Sequence, residues 1–214
     1  MVKAAGPVPV TVKFRKGTDE DHLTYFEAGL IAESVGASAL ALHARTAEQL
    51  YSGQADWDAI TRLKETVASI TVFGNGDIWE PWDALRMMRS TGCDGVVVGR
   101  GCLGRPWLFG QLASVFGSDP SSGGSDPDYP PLLGGVAKTM IEHAQMLVDW
   151  IGSHGIRDFR KHTSWYLKGY QTGPAARRSL QMVEDMDNLK ELLSDLLSTI
   201  GDDREFDPSA LITP

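Results

Sequence analysis

The chain has 214 residues, a formal net charge of −8, 42% hydrophobic residues and 22% charged residues. These values are typical of a globular protein of one or two domains, and the negative charge argues against nonspecific nucleic-acid binding by the whole surface. The sequence has neither a run of about 18 apolar residues nor an apolar leader, which predicts no membrane helix and no signal peptide. Cys93 and Cys102 form neither a disulfide framework nor a zinc spacing, so we expect a reducing cytoplasm and no metal site.

Four strand–helix units follow one another in the first half of the chain. Strands are predicted to begin near residues 8, 38, 70 and 94, and helices are predicted over 21–35, 56–68, 81–90 and 106–116. This order implies parallel strands joined by right-handed crossovers, so the fold class is α/β, a (β/α) barrel type with about four units. Asp56 and Pro81 are predicted to start two of the helices. The predicted core face of the first helix is Leu23, Phe26, Leu30, Ile31 and Val35.

The second half of the chain has a different composition. Residues 117–135 are rich in Gly, Ser, Pro and Asp, which predicts a linker between a half-barrel domain over 1–116 and a helical domain over 136–200. Apolar residues at helical spacing predict helices over 136–151, 156–170 and 174–199, which together would form an all-α bundle. Residues 201–214 are expected to be a frayed tail.

Two predicted strands end in glycine-rich tips. Residues 74–77, Gly-Asn-Gly-Asp, follow one strand, and residues 99–101, Gly-Arg-Gly, follow the next. The carboxyl ends of parallel barrel strands form the face on which such proteins bind ligands, so these tips predict a phosphate site. Lys13 and His43 are expected at the same face. Lys13 would be largely desolvated if it points inward, but it could equally be a solvated residue of the rim.

A basic segment lies in the predicted helical domain. Residues 157–178 hold six Lys or Arg and one Asp, a local charge of +5, with Trp165, Tyr166 and Tyr170 interleaved. The segment is either a solvated helix face whose aromatic residues turn into the bundle, or a surface that faces RNA. The predicted RNA-binding residues are Arg157, Arg160, Lys161, His162, Lys168, Arg177 and Arg178.

The ordered motifs resemble those of the tRNA-dihydrouridine synthases. They are Val12-Lys-Phe-Arg15, His43-Ala-Arg-Thr46, Gln49-Leu-Tyr-Ser-Gly53, Ala55-Asp-Trp57, Gly74-Asn-Gly-Asp77, Cys93-Asp-Gly95, Gly99-Arg-Gly101 with Pro106-Trp107, Phe159-Arg-Lys-His162 and Trp165-Tyr-Leu-Lys-Gly169. The resemblance covers residues 8 to about 195. It implies an FMN-dependent reductase that converts uridine in tRNA to dihydrouridine, with NADPH or NADH as the reductant.

The resemblance also implies roles for single residues. Lys13 and His43 would contact the isoalloxazine and ribityl parts of FMN, and a cation there would favour the anionic reduced flavin. Asn75, Gly76 and Asp77 would hold the ribityl–phosphate side. Gly99 and Arg100 would hold the phosphate itself. The basic helices would hold tRNA so that one splayed base can enter the barrel mouth.

The chain also departs from this family's pattern. The four βα units with which family members begin, and the catalytic cysteine among them, have no counterpart here, and neither Cys93 nor Cys102 fits that context. We therefore assign no catalytic residue. We expect an inactive fragment that needs a missing N-terminal half or self-association. Two other interpretations stay open, namely another FMN barrel that acts on a free pyrimidine, such as dihydroorotate, and a non-catalytic RNA-binding module.

Overall fold

The structure is a computed structural model that describes residues 1–117 and 131–207. The chain divides into two compact units. The first unit contains residues 1–101 and 115–117. The second, called here the helical unit, contains residues 102–114 and the described residues from 131 onward. Residues 102–114 thus belong to the helical unit, whereas the sequence predicted a domain boundary at residue 116.

The first unit is a parallel sheet with alternating helices. Its elements in chain order are α1 (Val2–Ala5), β1 (Thr11–Arg15), α2 (Tyr25–Ser34), β2 (Ala39–His43), α3 (Trp57–Thr66), β3 (Thr71–Asn75), α4 (Pro81–Thr91) and β4 (Gly95–Val97). The four strands lie in the order β1-β2-β3-β4, and every neighbouring pair is parallel. The predicted α/β class with parallel strands is confirmed.

The strand register places the polar strand ends side by side. Arg15 pairs with His43, His43 with Asn75, and Asn75 with Val97. Successive side chains of a strand point to opposite faces, so these four residues form a row on one face at the carboxyl ends of the strands. The opposite face carries the fully buried Leu40, Leu42 and Val72.

Two helix starts agree with the sequence. The Asp56 carboxylate accepts a hydrogen bond of 3.2 Å from the backbone N–H of Ala59 at the start of α3. Pro81 occupies the first turn of α4, where a capping box joins Glu80 and Asp83. Such side-chain caps satisfy the otherwise unpaired N–H groups of the first helical turn.

The predicted core face of α2 is wrong. Its large apolar residues are exposed, and Ile31 and Val35 have exposed fractions of 54% and 56%. The buried face consists of Tyr25, Gly29 and Ala32. A Cβ added at Gly29 would lie 2.6 Å from the side chain of a buried leucine of α3, so small residues set this close approach. Apolar residues are spread around this helix, and helical spacing alone therefore could not choose the buried face.

The helical unit is built from α-helices in its described part. They are α5 (Leu108–Phe116, with 108–114 in this unit), α6 (Leu133–Ile151), α7 (His154–Tyr166), α8 (Gly173–Gln181) and α9 (Met186–Ile200). Their core includes Val136, Met140, Phe159, Leu180 and Leu193. The single helix predicted over 174–199 is wrong, since Asp185 accepts a hydrogen bond from the Asn188 N–H and starts a new helix.

The linker and tail predictions lie partly outside the described residues, which exclude 118–130 and 208–214. Within the described part, α6 begins at Leu133 rather than at the predicted residue 136. Residues 202–207 are not frayed, because the carbonyls of Asp202 and Arg204 accept backbone hydrogen bonds of 2.9 and 3.0 Å from the start of α6. No helix of the described chain is both long and apolar enough to cross a bilayer.

Candidate functional site

A cavity of about 330 Å³ opens at the carboxyl ends of the four strands. Its size falls at the lower end of the range for small-molecule sites, about 300–1,000 Å³. All seven residues predicted to bind a cofactor line this cavity: Lys13, His43, Asn75, Gly76, Asp77, Gly99 and Arg100. The structure therefore brings the predicted set together, although their contacts with a ligand stay predictions.

Arg100 is held over two aromatic rings at the rim. Its guanidinium carbon lies 4.4 Å from the centre of the Tyr51 ring and 5.3 Å from that of the Trp79 ring. The Arg15 guanidinium approaches the same Tyr51 ring at 5.7 Å. Aromatic faces attract cations without neutralising them, so these rings orient Arg100 without removing its charge.

The glycine tips allow close backbone approach. Gly76 has a φ of 136°, and a Cβ added there would lie 2.6 Å from the Ala55 side chain. A Cβ at Gly101 would lie 2.1 Å from the Ile78 carbonyl oxygen. Neither position has room for a side chain. Gly99 differs, because nothing lies within 4 Å of a Cβ added there.

Two predicted ligand contacts are already engaged with the protein. The Asn75 amide donates a 2.7 Å hydrogen bond to the Val97 carbonyl and joins β3 to β4. The Asp77 carboxylate accepts hydrogen bonds from Arg45 at 2.8 Å and from the Ala55 N–H at 2.6 Å. These side chains therefore shape the tip between β3 and α4, and Asp77 does not present a free carboxylate to the cavity.

Lys13 is exposed on the edge strand β1, which agrees with the interpretation of a solvated rim residue and not with that of a largely desolvated one. Its partial burial, together with the charge of Arg15, lowers the pKa of Lys13. Within the described residues it forms no ion pair with an acidic group. An ammonium in this position repels other cations at the strand ends and attracts a negatively charged ligand.

His43 is buried in the middle of this row. Burial and four nearby cations lower the pKa of His43 to about 4. Those cations are Arg15, Lys13, Arg45 and Arg100. At neutral pH the imidazole is therefore uncharged and offers one donor and one acceptor nitrogen to a ligand.

Sequence reasoning missed Tyr51 and Arg45. Tyr51 lies on the 46–53 loop, whose carbonyls at Thr46 and Leu50 accept bonds of 2.7 and 2.9 Å from Arg15. Arg45 is almost completely buried beneath the same loop. Neither residue follows a periodic pattern, and a polar loop gives no signal for which side chains turn inward.

Five of the six Lys and Arg residues predicted to bind RNA divide into two groups, and the sixth, Lys168, is partly buried. Arg160 donates a 2.7 Å hydrogen bond to the Val183 carbonyl, and Arg177 donates bonds of 2.8 and 2.9 Å to the carbonyls of Leu167 and Tyr170. These two arginines join helices and loops inside the unit. The residues whose side chains are exposed are Arg157, Lys161 and Arg178.

The aromatic residues of this segment turn mainly inward. Tyr166 and Tyr170 are buried in the core of the helical unit, and burial raises the pKa of both phenols, that of Tyr166 to about 12. His162 packs edge-on against Trp165 at 5.3 Å and against His143 at 4.7 Å. Burial lowers the pKa of His162, so this side chain is a poor candidate for a cation that holds phosphate.

The two packed histidines make the stability of the helical unit depend on pH. Burial lowers the pKa of both His143 and His162 below the ordinary value of about 6.5. The unfolded chain takes up these protons first, so the free energy of unfolding is fully present above pH 6.5 and falls as the pH decreases below it. We expect His162→Gln to reduce this slope, by up to about 1.4 kcal/mol per pH unit.

Urea unfolding between pH 5 and pH 7 measures this effect. His154→Gln is the matched control, because His154 is exposed at the start of α7 and packs against neither histidine. An unchanged slope in His162→Gln, or an equal change in His154→Gln, would contradict the assignment.

Cys93 fits a structural role. Cys93 is buried, and its thiol donates to the Gly95 carbonyl at 3.3 Å. Cys102 is partly buried next to the Arg100 tip. The described residues contain no group of three or more His, Cys, Asp or Glu that could hold a metal ion.

The geometry defines a class of protein. A parallel α/β sheet with glycine tips and several cations at its strand ends is typical of proteins that bind phosphate-bearing ligands at this edge. The family model described as dihydrouridine synthase matches residues 1–200. The chain belongs to the dihydrouridine synthase family.

Curated relatives agree with this family. The chain is 53% identical over 194 residues to a protein of Mycobacterium tuberculosis (strain H37Rv) called "probable tRNA-dihydrouridine synthase". The matched region covers 90% of this chain and 48% of the relative. It is 37% identical over 187 residues to tRNA-dihydrouridine synthase B of Yersinia pestis, covering 87% of this chain and 56% of the relative. The chain thus spans about half the length of these relatives.

Proposed function

We propose that this chain binds FMN at the strand-end cavity and takes part in the reduction of uridine in tRNA to dihydrouridine. The observation that carries the proposal is the convergence of the two glycine tips with Lys13, Arg15 and Arg100 on one cavity. Among the described residues that line it, Asp77 is the only acid. A surplus of positive charge suits a ligand that carries a phosphate.

The residues present fit the phosphate end of this cofactor. Gly99 leaves space for an anion, Arg100 supplies a charge and a planar fork of donors, and Gly76 keeps the opposite tip free of a side chain. We assign the phosphate to Gly99 and Arg100. We assign the ribityl side to the tip formed by Asn75, Gly76 and Asp77, where the Asp77 carboxylate is engaged with Arg45 and the Asn75 amide donates to the Val97 carbonyl.

We assign the isoalloxazine side of the cofactor to Lys13 and His43. The Lys13 ammonium would stabilise negative charge on a reduced ring, and the neutral His43 would accept or donate a hydrogen bond. Bound FMN would supply the hydride for the uracil ring, with NADPH or NADH as the source of electrons. Tyr51 and Arg15 form a wall of the cavity against which a flat base could stack.

The partner of the helical unit would be tRNA. Arg157 and Lys161 lie one turn apart on the exposed face of α7, and Arg178 is exposed on α8. Such cations bind the phosphate backbone of RNA without reading its sequence. We further propose that the four-stranded sheet is part of a (β/α) barrel and that the protein works in the cytoplasm.

Titration with FMN and with riboflavin tests the proposed function, because the two differ only in the phosphate. We expect FMN to bind at least about 10-fold more tightly, the effect of a charge-assisted phosphate contact. Flavin fluorescence measures both affinities. Equal affinities, or no binding of either flavin, would contradict a phosphate site at the strand ends.

A second function is supported by the exposed basic residues of the helical unit alone, namely RNA binding without redox chemistry. It predicts salt-sensitive binding of tRNA and no binding of FMN. The titration above separates the two functions. If free uracil or dihydroorotate competed with tRNA for the flavin-loaded protein, that result would instead indicate an enzyme that acts on free pyrimidines.

A further inference from the structure

Arg45 is a buried cation beneath the rim of the cavity. Its side chain has an exposed fraction of 2%. Nε donates to the Ser52 carbonyl at 3.1 Å, and Nη2 donates to the Gly53 carbonyl at 2.7 Å. Nη2 also lies 2.8 Å from both carboxylate oxygens of Asp77. Arg45 thereby joins the 46–53 loop to the tip after β3, although it does not itself line the cavity.

Asp77 lies between two guanidinium groups. Its Oδ1 is 2.8 Å from Arg45 Nη2 and 3.6 Å from Arg100 Nη2. The shorter distance is a charge-assisted hydrogen bond, whereas the longer one exceeds hydrogen-bond range and leaves only an electrostatic attraction. The carboxylate is therefore committed mainly to Arg45, even though Arg100 lies within reach.

We propose that Arg45 is a positioning residue that holds the Asp77 carboxylate out of hydrogen-bond contact with Arg100, so that Arg100 keeps more of its charge for an anionic ligand. This inference rests on the proposed function, in which Arg100 holds the FMN phosphate. Two opposite charges attract more strongly at short distance and low exposure. The buried Arg45 thus outcompetes the more exposed Arg100, whose side chain has an exposed fraction of 33%.

Removal of Arg45 would release the carboxylate towards Arg100. In Arg45→Met the nearest remaining cation to Asp77 is Arg100, and we expect FMN affinity to fall about 5-fold, the upper end of what a partly exposed ion pair contributes. In the double variant Arg45→Met/Asp77→Asn the competing charge is gone, and asparagine still offers an acceptor to the Ala55 N–H. We expect its FMN affinity to return to within about 2-fold of wild type.

A purely structural role of Arg45 predicts the opposite order. The double variant would then have lost more contacts than the single variant and would bind FMN no better. Arg45→Lys keeps the positive charge but not the planar fork. If Arg45 acts by drawing the Asp77 charge away from Arg100, an effect called charge relief here, the FMN affinity of Arg45→Lys should stay close to that of the wild type. Arg62→Met is the matched control, because Arg62 contacts Tyr25 and Asp56 of the same unit and does not line the cavity.

A measurement without ligand separates this inference from the proposed function. The coupling free energy between Arg100 and Asp77 is obtained from the urea unfolding of Arg100→Met, of Asp77→Asn and of the variant that carries both changes. The three variants are compared first with Arg45 present and then in the Arg45→Met background. We expect almost no coupling with Arg45 present and a coupling of about 5-fold in the unfolding equilibrium constant without it. If that coupling appears while the wild-type chain binds no FMN, charge relief stands and the proposed function fails.

The inference is overturned if the wild-type chain binds FMN, the double variant does not recover affinity, and the coupling stays absent. If Arg45→Met does not fold, the double variant decides, since it leaves neither charge unpaired. An affinity of the double variant near that of wild type then supports charge relief, and a 10-fold loss overturns it.

Discussion

Replacing Arg100 by methionine is expected to weaken the binding of FMN by about 10- to 100-fold, the range measured for hydrogen bonds to charged groups. Arg100 projects into the cavity above the rings of Tyr51 and Trp79, and no other arginine of the described chain lies at the tip after β4. Methionine keeps an apolar chain of similar length over the rings but cannot neutralise a phosphate. Quenching of flavin fluorescence measures the change in affinity.

The same variant should leave riboflavin almost unaffected, because riboflavin has no phosphate for Arg100 to hold. Arg89→Met provides the matched control, since Arg89 is an exposed arginine in the last turn of α4 in the same unit. An equal loss for FMN and riboflavin would show that Arg100 supports the rim through the aromatic rings rather than by holding a phosphate.

Changing Arg157, Lys161 and Arg178 together to glutamine is expected to abolish most of the electrostatic binding of tRNA. These residues are exposed, whereas Arg160 and Arg177 are bonded to carbonyls within the unit. Each phosphate contact contributes about 0.7–0.9 to the slope of log affinity against log salt, so three lost contacts should lower the slope by about 2–3. Filter binding or fluorescence anisotropy at several salt concentrations measures the slope.

A charge-matched triple variant controls for the change in net charge. Lys138, Lys190 and Arg204 are exposed in the same unit, and changing them to glutamine alters the net charge equally. If both triple variants lower the slope by the same amount, net charge governs the binding and the exposed faces of α7 and α8 are not the tRNA surface.

The location of the cavity could be predicted from the sequence because parallel strands impose a common direction. His43, Asn75 and Val97 end their strands after runs of apolar residues, and pairing in register then places them in one row. Polar tips that follow such strands must meet at one edge of the sheet. The common location of these residues could therefore be predicted from the order and direction of the strands alone.

The residues that surround the cavity could not be predicted in the same way. Arg45 takes its position from hydrogen bonds to the carbonyls of Ser52 and Gly53, and the Tyr51 ring lies against the guanidinium groups of Arg100 and Arg15. The engagement of Asp77 with Arg45 is likewise a contact across 32 residues. Neither composition nor hydrophobic periodicity shows which residues form such pairs.

Helical spacing also failed to predict two features, the buried face of α2 and the break between α8 and α9. In α2 apolar residues are spread around the helix, and the small residues Gly29 and Ala32 take the buried positions. Between α8 and α9 the apolar stripe continues through Val183, which is fully buried, while the backbone leaves the helix before the Asp185 cap. The apolar spacing therefore did not show that two helices share this stripe.

We propose that this chain holds a flavin at its strand ends and tRNA on its helical unit. Gel filtration of the protein mixed with FMN and tRNA, followed by absorbance of flavin and nucleic acid, tests both parts of this proposal at once. We expect all three to elute together at low salt, and tRNA alone to be released at high salt, because exposed charges are screened more than those of a partly buried cavity. Flavin that elutes free of the protein at low salt would contradict the claim.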